Sequence, residues 1–437
     1  MHPLQKLVQL QKQGNKVGIY SACSANEYVL EAVMEKAKKT KSVCLIESTS
    51  NQVNQYGGYT KMTPQDFYDF CYQLASKVGL DSSQFILGGD HLGPLTWADL
   101  PEEKAMIEAE TLMKEYVKAG FTKIHIDTSM RLADDDTSVA LATDMIAKRG
   151  ARLAKACEEA YQERLKTTPT TIAPVYIIGS EVPIPGGAQE DEGLQITSPE
   201  DFKATVATFK AAFESLDLHA AWERVIAVVV QPGVEFGDTS IDEYNREAAK
   251  DLSEALREYD SLVFEGHSTD YQTVKHLTEM VEDGVAILKV GPALTFAARE
   301  AMFALAHIEE ELLKGSDVNT SHFIEILDQV MLAQPKNWQK HYHGNAQQQA
   351  FKRKYSYSDR CRYYLPDPEV QAALATLIQN LKEHKIPLSL LSTYMPIQYT
   401  KVRNKELCLD PESLIKDRVI NMIDEYLDAA KQEEIKL

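Results

Sequence analysis

Eight short apolar runs, rich in branched side chains, recur through the first two thirds of the chain, and each ends in small or polar residues. Within a run the hydrophobicity is continuous rather than alternating, which is typical of parallel strands covered on both faces of the sheet. The pattern therefore predicts eight buried strands. They are residues 17–20, 43–46, 85–87, 124–126, 174–178, 225–230, 262–264 and 285–288.

Amphipathic stretches with helix-start signals separate these runs. Thr63 and Ser198 each precede a proline, as a hydroxyl N-cap does before proline at the first helical position, and residues 24–27 resemble a capping box. Strict alternation of strands and helices predicts a parallel sheet with helical crossovers. Eight strands close a (β/α)8 TIM barrel, for which residues 16–313 have the right length, and a doubly wound open sheet is the alternative.

Helices without strands follow residue 292, and a last helix is predicted over residues 411–432. We therefore predict a (β/α)8 barrel over residues 1–313 and a C-terminal helical extension, packed on the barrel, over residues 314–437. An aromatic and basic stretch at residues 355–364 interrupts this extension. Two apolar helical stripes support it: Phe323, Ile326, Leu327, Val330 and Met331, and Val370, Ala373, Leu374, Leu377, Ile378 and Leu381.

The composition limits the function. The 437 residues carry a net charge of -19, which disfavours binding to nucleic acid or anionic membranes, so an anionic substrate needs a local cation. The six cysteines show no CxxC spacing and indicate reduced thiols. With no signal-like N-terminus and no membrane-length apolar run, we expect a cytoplasmic protein.

Polar side chains follow the predicted strands, at the end where a barrel builds its active site. Adjacent strand residues point to opposite faces, so Asp90 and His91 share one site only if the strand end bends there. Gly88 and Gly89 permit that bend. Other polar groups at this rim are Glu47 with the amide-rich loop 48–59, Asp127, Ser129, Glu181 with the acidic loop 183–193, Gln231, Glu265, His267, Asp270 and Lys289.

Imidazoles and carboxylates gathered at one barrel mouth are suited to a divalent ion such as Zn, Mn, Ni or Co. No cysteine is expected at this rim, which argues against a thiolate-rich zinc site. Such an ion acts as a Lewis acid on a carbonyl and its neighbouring hydroxyl, as sugar aldol cleavage, isomerisation and epimerisation require. The chain has no GxGxxG or GxxxxGK[ST] motif, so we expect no nucleotide cofactor.

The same rim segments resemble the GatZ/KbaZ family. That family is named for the Z subunits of D-tagatose-1,6-bisphosphate aldolase and is related to the class II aldolases. The resemblance implies a (β/α)8 barrel and ketohexose metabolism. The matching motifs are Ile46-Glu47 with residues 50–60, residues 88–94, residues 179–183 with 185–187, residues 265–272, and residues 357–364.

The wider class II aldolase pattern matches only in part. Asp90 and His91 resemble its catalytic aspartate and first metal histidine, and Asp127 resembles a strand-four aspartate. Gln231 stands where the second metal histidine is expected, and the third is displaced to His267. The resemblance therefore implies the metal ligands His91, Glu181, His267 and Gln231. It implies the catalytic residues Asp90, Glu181 and Asp127.

The phosphate-binding turn of that class is altered. His267 replaces the open Gly-Gly-Ser backbone, and Pro292 has no N–H to donate. Lys289, Arg360 or Arg362 are the alternative cations. The residues expected to bind the sugar are Glu47, Asn51, Gln52, Asn54, Gln55, Ser129, Asp270, Lys289, Arg360 and Tyr364.

The rim residues, together with what the resemblance implies, predict metal-dependent C4 chemistry on a ketohexose and favour C4 epimerisation of a tagatose- or fructose-type ketose or its uronate. Inversion through retro-aldol cleavage and inversion through a C4 carbonyl both remain open. One alternative is a non-catalytic subunit that stabilises a separate aldolase, and another is a bisphosphate aldolase that acts alone. The expected partners are a sugar substrate and either a second copy of the chain or an aldolase subunit.

Overall fold

Eight parallel strands close into a barrel in the computed structural model, which describes residues 1–180 and 194–434. Each of the eight predicted runs lies in or overlaps one barrel strand, and β1 pairs with β10, so the TIM barrel is confirmed and the open sheet is wrong. A small antiparallel hairpin, β7 (Glu235–Phe236) and β8 (Ile241–Asp242), follows β6. The barrel strands are β1 Ile19–Cys23, β2 Cys44–Thr49, β3 Phe85–Leu92, β4 Lys123–Ile126, β5 Val175–Ile178, β6 Val225–Val230, β9 Val263–Gly266 and β10 Val285–Val290.

Sixteen α-helices lie in the described residues, and most of the first ten cover the outside of the barrel. They are α1 Pro3–Lys12, α2 Glu27–Thr40, α3 Pro64–Val78, α4 Glu102–Ala119, α5 Thr143–Thr167, α6 Pro199–Ser215, α7 His219–Trp222, α8 Lys250–Leu256, α9 Val274–Glu282, α10 Pro292–Leu313, α11 Phe323–Ala333, α12 Ala346–Tyr355, α13 Pro368–Glu383, α14 Leu388–Tyr394, α15 Pro396–Arg403 and α16 Pro411–Ala430. None of these helices combines the length and the apolar character needed to cross a bilayer.

The helix-start signals gave two correct predictions and one wrong one. Thr63 forms a capping box with Asp66, and Ser198 caps α6. The predicted capping box at residues 24–27 is wrong, because Asn26 is the N-cap of α2 and accepts from the backbone N–H of Val29. The two C-terminal apolar stripes lie on α11 and α13, where most of their residues are buried.

Helix α1 closes the N-terminal mouth of the barrel. Its Leu4, Leu7 and Val8 belong to one buried apolar cluster with residues from the lower halves of the strands, such as Ile19 and Leu45. This end is therefore filled by side chains, as is usual for the core of a TIM barrel. A substrate must enter from the opposite end, where the strands finish.

The last helix completes the helical layer around the barrel. Helix α16 packs against α2, α9, α10 and β1. The backbone N–H of Gly18 donates to the carbonyl of Ala430 at 2.8 Å, and that of Tyr20 donates to Gln432 Oε1 at 3.1 Å. The C-terminal residues thus pack directly on the barrel wall, while the boundary at residue 313 stays a prediction.

We expect Tyr426→Phe to lower the free energy of unfolding by about 1–3 kcal/mol, because it leaves buried partners unsatisfied. The buried Tyr426 hydroxyl donates to the carbonyl of Thr269 at 2.8 Å and lies 3.2 Å from the Thr269 hydroxyl. Urea denaturation followed by circular dichroism measures the change. Tyr399→Phe, in the partly buried α15, is the control, and an equal loss in both variants contradicts the expectation.

Candidate active site

A layer of buried ions lies inside the barrel, just below the C-terminal mouth. Lys123 Nζ lies 2.6 Å from a carboxylate oxygen of Glu47 and 2.6 Å from one of Glu265. Lys289 pairs with Glu47 and lies 3.1 Å from Asp90. Burial alone lowers the pKa of Lys289, but Asp90 and Glu47 raise it well above its ordinary value. Lys289 therefore stays protonated, and each lysine lies beside the carboxylates that it pairs with.

Strand β3 bends where it delivers Asp90 and His91. The register of β3 against β4 shifts between Gly89 and Leu92, and His91 itself adopts a left-handed backbone with φ 46°. The glycines serve close packing, since a Cβ on Gly88 would lie 2.9 Å from the Glu47 side chain. The predicted bend is present, but His91 rather than a glycine takes the unusual backbone angle.

Three buried imidazoles surround one point at the mouth: His91, His125 and His267. Their ring centroids lie 5.1, 4.8 and 5.0 Å apart, which is a nearly equilateral triangle. Three imidazoles whose nitrogens lie about 2.0–2.1 Å from one metal ion have centroids roughly 5 Å apart. One potential ligand atom from each ring and one from Asp90 all lie within 4.8 Å of one another. The four side chains thus have the spacing of a metal site.

Each of the three imidazoles has one ring nitrogen next to a carboxylate. His91 Nδ1 lies 2.8 Å from Asp127, His125 Nδ1 lies 2.9 Å from Asp90, and His267 Nε2 lies 3.1 Å from Glu265. Carboxylates in these positions fix the tautomer and turn the other nitrogen toward a metal. In His125 that other nitrogen, Nε2, is buried without a hydrogen-bond partner. A buried unpaired nitrogen is costly, so it points to a bound ion.

The carboxylates of Asp90 and Asp127 are ionised. Burial alone raises the pKa of Asp90, but Lys289 and the neighbouring imidazoles hold it well below its usual range. Burial also raises the pKa of Asp127, but its hydrogen bond to His91 and the charges of His91 and His125 together hold it below its usual range. Burial lowers the pKa of His267 to about 4, whereas Asp90 and Asp127 raise the pKa of His91 despite its burial. A neutral imidazole is the form that binds a metal.

His125 Nδ1 has a second close contact. The backbone N–H of His91 donates to it at 3.0 Å. Nδ1 therefore lies between a donor and the carboxylate of Asp90, which is an acceptor. The carboxylate favours the tautomer that leaves Nε2 free to bind a metal, and the His91 N–H favours the other tautomer.

A cleft of ≈ 670 Å³, a volume that includes solvent at its opening, lies above the imidazoles. Its wall combines amides, hydroxyls, aromatic rings and cations, which is suitable for a polyol. The lining residues are Cys23, Thr49, Asn51, Gln52, Tyr59, Asp90, His91, Phe236, His267, Ser268, Asp270, Lys289, Val290, Gly291, Pro292, Arg362 and Tyr363.

Residues 4–431 match the family model described as D-tagatose-1,6-bisphosphate aldolase subunit GatZ/KbaZ-like. The chain belongs to the GatZ/KbaZ-like family. It is therefore a sugar aldolase-type enzyme or a subunit of one, and the resemblance found in its motifs is confirmed. The buried histidines and Asp90 are compatible with a divalent metal site in this GatZ/KbaZ-like protein.

One solved structure agrees with the fold of this GatZ/KbaZ-like protein. It is the crystal structure of a probable tagatose 6 phosphate kinase from Sinorhizobium meliloti 1021, with 43% identity and a TM-score of 0.86. That match covers 94% of this chain and 100% of the other. The YdjI aldolase from Escherichia coli K12 has 15% identity and a TM-score of 0.40 over 88% of this chain and 97% of its own, too distant to inform on function.

Only some of the metal ligands predicted for this GatZ/KbaZ-like protein lie in the histidine cluster. His91 and His267 lie in the cluster, as expected. Gln231 makes other contacts, because its Oε1 accepts from the backbone N–H groups of Gly233 and Val234, and its role as a ligand stays a prediction. Glu181, together with the loop to residue 193, lies outside the described residues. His125 was missed, because the sequence pattern assigned it to an apolar strand.

The expectation of no cysteine at the rim of this GatZ/KbaZ-like protein is wrong. Cys23 ends β1, lines the cleft, and its thiol donates to Asp90 Oδ2 at 3.4 Å. Burial raises the pKa of the Cys23 thiol well above its ordinary value. It is therefore a neutral neighbour of Asp90 rather than a thiolate.

Four of the predicted sugar-binding residues line the cleft: Asn51, Gln52, Asp270 and Lys289. The other six make contacts elsewhere, mostly inside the protein. Glu47 is in the buried ion layer, Asn54 donates to the carbonyl of Ser50, Gln55 donates to Glu108, Ser129 donates to Asp127, Arg360 donates to the carbonyl of Asn337, and Tyr364 donates to the carbonyl of Gln334.

The C-terminal extension of this GatZ/KbaZ-like protein contributes to the cleft through Arg362 and Tyr363. The ring of Tyr363 packs against that of Tyr59, with centroids 4.7 Å apart. Arg362, rather than the predicted Arg360, is therefore the arginine at the cleft.

We expect the buried carboxyl group of Asp270 to make the folded protein less stable as the pH rises from about 4 to about 6. Burial raises its pKa to about 6. The folded protein thus keeps this proton to a higher pH than the unfolded chain does. The protonated carboxyl therefore contributes to the free energy of unfolding in full below about pH 4, and this contribution is lost as the pH rises to about 6. We expect wild-type stability to fall by roughly 2–3 kcal/mol relative to Asp270→Asn over that interval.

Denaturant titrations of both proteins between pH 4 and 7 measure this difference. Asn keeps the oxygen that accepts from Gly291 and Ala293, so the variant should fold. If the free energies of unfolding of wild type and Asp270→Asn change in parallel with pH, the raised pKa of Asp270 is contradicted.

Proposed function

We propose that this chain is a metal-dependent C4 epimerase of a ketohexose or a ketohexuronate. The observation that carries the proposal is the triangle of His91, His125 and His267, each hydrogen-bonded to a carboxylate, at the floor of a cleft lined by amides and hydroxyls. The 43% identical structure is named for tagatose 6 phosphate, which supports a ketohexose as the substrate class.

The donor set fits the proposed metal. His91, His125 and His267 would hold it. Three imidazole nitrogens are suitable for Zn, Mn, Ni or Co and leave room for substrate oxygens, so Asp90 beside them is not needed as a ligand. When bound, the ion supplies Lewis acidity at the carbonyl and its neighbouring hydroxyl.

Asp90 is the group that we propose moves the proton at the C4 hydroxyl. It is ionised, lines the cleft and lies beside the ammonium of Lys289 at 3.1 Å. The proton passes from O4 to Asp90 while the C3–C4 bond breaks. The electron pair of that bond moves to C3 and is delocalised onto the oxygen of the C2 carbonyl. The new C4 aldehyde turns, C3 adds to its other face, and the proton returns to O4.

This retro-aldol route balances without an oxidant, whereas a carbonyl at C4 requires a hydride acceptor. We therefore propose the retro-aldol route. Asn51 and Gln52, from the loop after β2, would hold sugar hydroxyls. The predicted acid–base role of Glu181 remains a prediction.

The test is turnover by the metal-loaded protein alone. D-fructose, D-tagatose, D-tagaturonate and D-tagatose 1,6-bisphosphate are each incubated with it, and products are identified by NMR. We expect the C4 epimer of at least one sugar, with loss of turnover after chelation and recovery when metal is restored. Accumulation of trioses instead identifies an aldolase that acts alone.

A second candidate function is a non-catalytic subunit that stabilises an aldolase, which the family description favours because it names a subunit. In that case none of the four sugars turns over, and the chain raises the activity or stability of a class II aldolase mixed with it. The metal site is then structural.

We expect His91→Ala and His267→Ala each to lose the bound ion, since each removes one of three nitrogen ligands. Metal content per chain, measured by plasma mass spectrometry after gel filtration, should fall from one to near zero. His307→Ala is the matched control, because His307 is an exposed histidine on α10. Full occupancy in either cluster variant contradicts the role of that residue.

A further inference from the structure

The usual phosphate position of a TIM barrel is already occupied in this chain. Such sites form after the seventh and eighth strands, which are β9 and β10 here, at the N-terminus of a following helix. Asp270 Oδ1 accepts from the backbone N–H of Gly291 at 3.0 Å and from that of Ala293 at 2.8 Å. Pro292 between them has no N–H. The protein's own carboxylate therefore takes the donors that would bind a phosphate there.

Among the described residues that line the cleft, Arg362 is the lysine or arginine that forms no ion pair. Lys289 is paired with Glu47 and Asp90. Arg362 has no carboxylate within 4.0 Å among the described residues. Its carbonyl and hydroxyl contacts orient it: Nη1 donates to the carbonyls of Ser358 and Asp359, and Nη2 donates to the hydroxyl of Tyr363 at 3.0 Å.

These contacts fix the guanidinium and leave donors over. Its Cζ lies 4.5 Å from the centroid of the Tyr363 ring, so the group is also held by a cation–π contact. Within the described residues, the hydrogen bonds of Arg362 use Nη1 and one N–H of Nη2. Nε takes part in none of these bonds and lies on the opposite side of the guanidinium from Nη1. An edge made of Nε and Nη2 binds two oxygens of a carboxylate or phosphate side by side.

We propose that Arg362 binds a terminal anionic group of the sugar, either a phosphate ester or a carboxylate. The proposal rests on the epimerase function above and names its substrate class as anionic ketohexoses. In a chain with a net charge of -19, an oriented guanidinium that forms no ion pair within the described residues supplies the local positive charge that such a sugar needs. During retro-aldol cleavage, Arg362 would also keep hold of the fragment when that fragment carries the anion.

Calorimetric titration of the metal-loaded protein with D-tagatose, D-tagatose 6-phosphate and D-tagaturonate tests this proposal. We expect at least one anionic sugar to bind roughly 10- to 100-fold more tightly than D-tagatose. The sugar with the larger preference distinguishes phosphate from carboxylate. Arg362→Met should reduce the preference to near unity, and Arg362→Lys should keep part of it, because lysine keeps the charge but not the two-donor edge.

Arg403→Met is the matched control, because Arg403 also lies over a tyrosine ring, at 5.6 Å, but on α15 away from the cleft. If Arg362→Met does not fold, Arg362→Gln replaces it, because glutamine retains an N–H donor for the carbonyl of Ser358. An unchanged preference in the folded neutral variant overturns the proposal, as does a wild type that binds all three sugars equally. Turnover is followed in a separate assay, so a wild type that prefers anionic sugars but forms no C4 epimer refutes only the epimerase function.

Discussion

His125→Asn should abolish both metal binding and sugar turnover, although residue 125 lies inside a buried strand. The change removes Nε2, the ring nitrogen that is buried without a partner, and keeps a side-chain N–H near the position of Nδ1 that can donate to Asp90. Loss of an outer-shell partner typically costs about 10–100-fold in metal affinity, and loss of a direct ligand should cost more.

The pair His125→Asn and His125→Gln sharpens this test, because glutamine places its amide near the position of Nε2 instead. We expect Gln to retain weak metal binding and Asn to retain none, as measured by titration with Zn²⁺ in a competition assay with a chromophoric chelator. Circular dichroism melts check that both variants fold, and His307→Asn is the exposed control. Tight binding by a folded His125→Asn means that His125 is a structural histidine.

Lys123→Met should destabilise the protein by about 3–5 kcal/mol, as removal of one partner from a buried ion pair does. Lys123 is fully buried between Glu47 and Glu265, and both carboxylates are also fully buried. Without the ammonium, Glu47 and Glu265 are buried together in the barrel core, and Lys289 forms an ion pair with only Glu47 of the two. Metal binding should weaken as well, because Glu265 orients His267.

Urea denaturation of Lys123→Met measures the loss. Lys114→Met is the control, because Lys114 forms a partly exposed pair with Glu159 at 2.9 Å that should contribute no more than about 1 kcal/mol. The triple variant Glu47→Gln, Lys123→Met and Glu265→Gln should recover part of the loss, since it removes the uncompensated charges. A cost for Lys123→Met equal to that of Lys114→Met contradicts a charge-balanced core.

The sequence predicted the barrel because continuous apolar runs depend only on which residues are buried. It did not predict His125, because the run around it was interpreted as uniformly apolar. Strand alternation contains the missing signal: Lys123 and His125 are two residues apart, so they share one face, and the structure places that face inside the barrel. Glu265 and His267 have the same two-residue spacing at the end of β9.

Other features depend on long-range packing and have no local signal. Arg360 and Arg362 lie on one short 3-10 helix over Arg360–Tyr363, and only the packing of that turn decides that Arg362 lies at the cleft. The position of α16 beside β1 likewise joins residues about 400 positions apart. The capping of Gly291 and Ala293 by Asp270 is a third such contact.

The central claim is that His91, His125 and His267 bind one divalent ion. Crystals of the metal-loaded protein, measured at the absorption edge of the added metal, test it most directly. We predict one anomalous peak about 2.0–2.2 Å from a ring nitrogen of each histidine. A peak elsewhere, or no peak in protein that turns over the sugar, would contradict the claim.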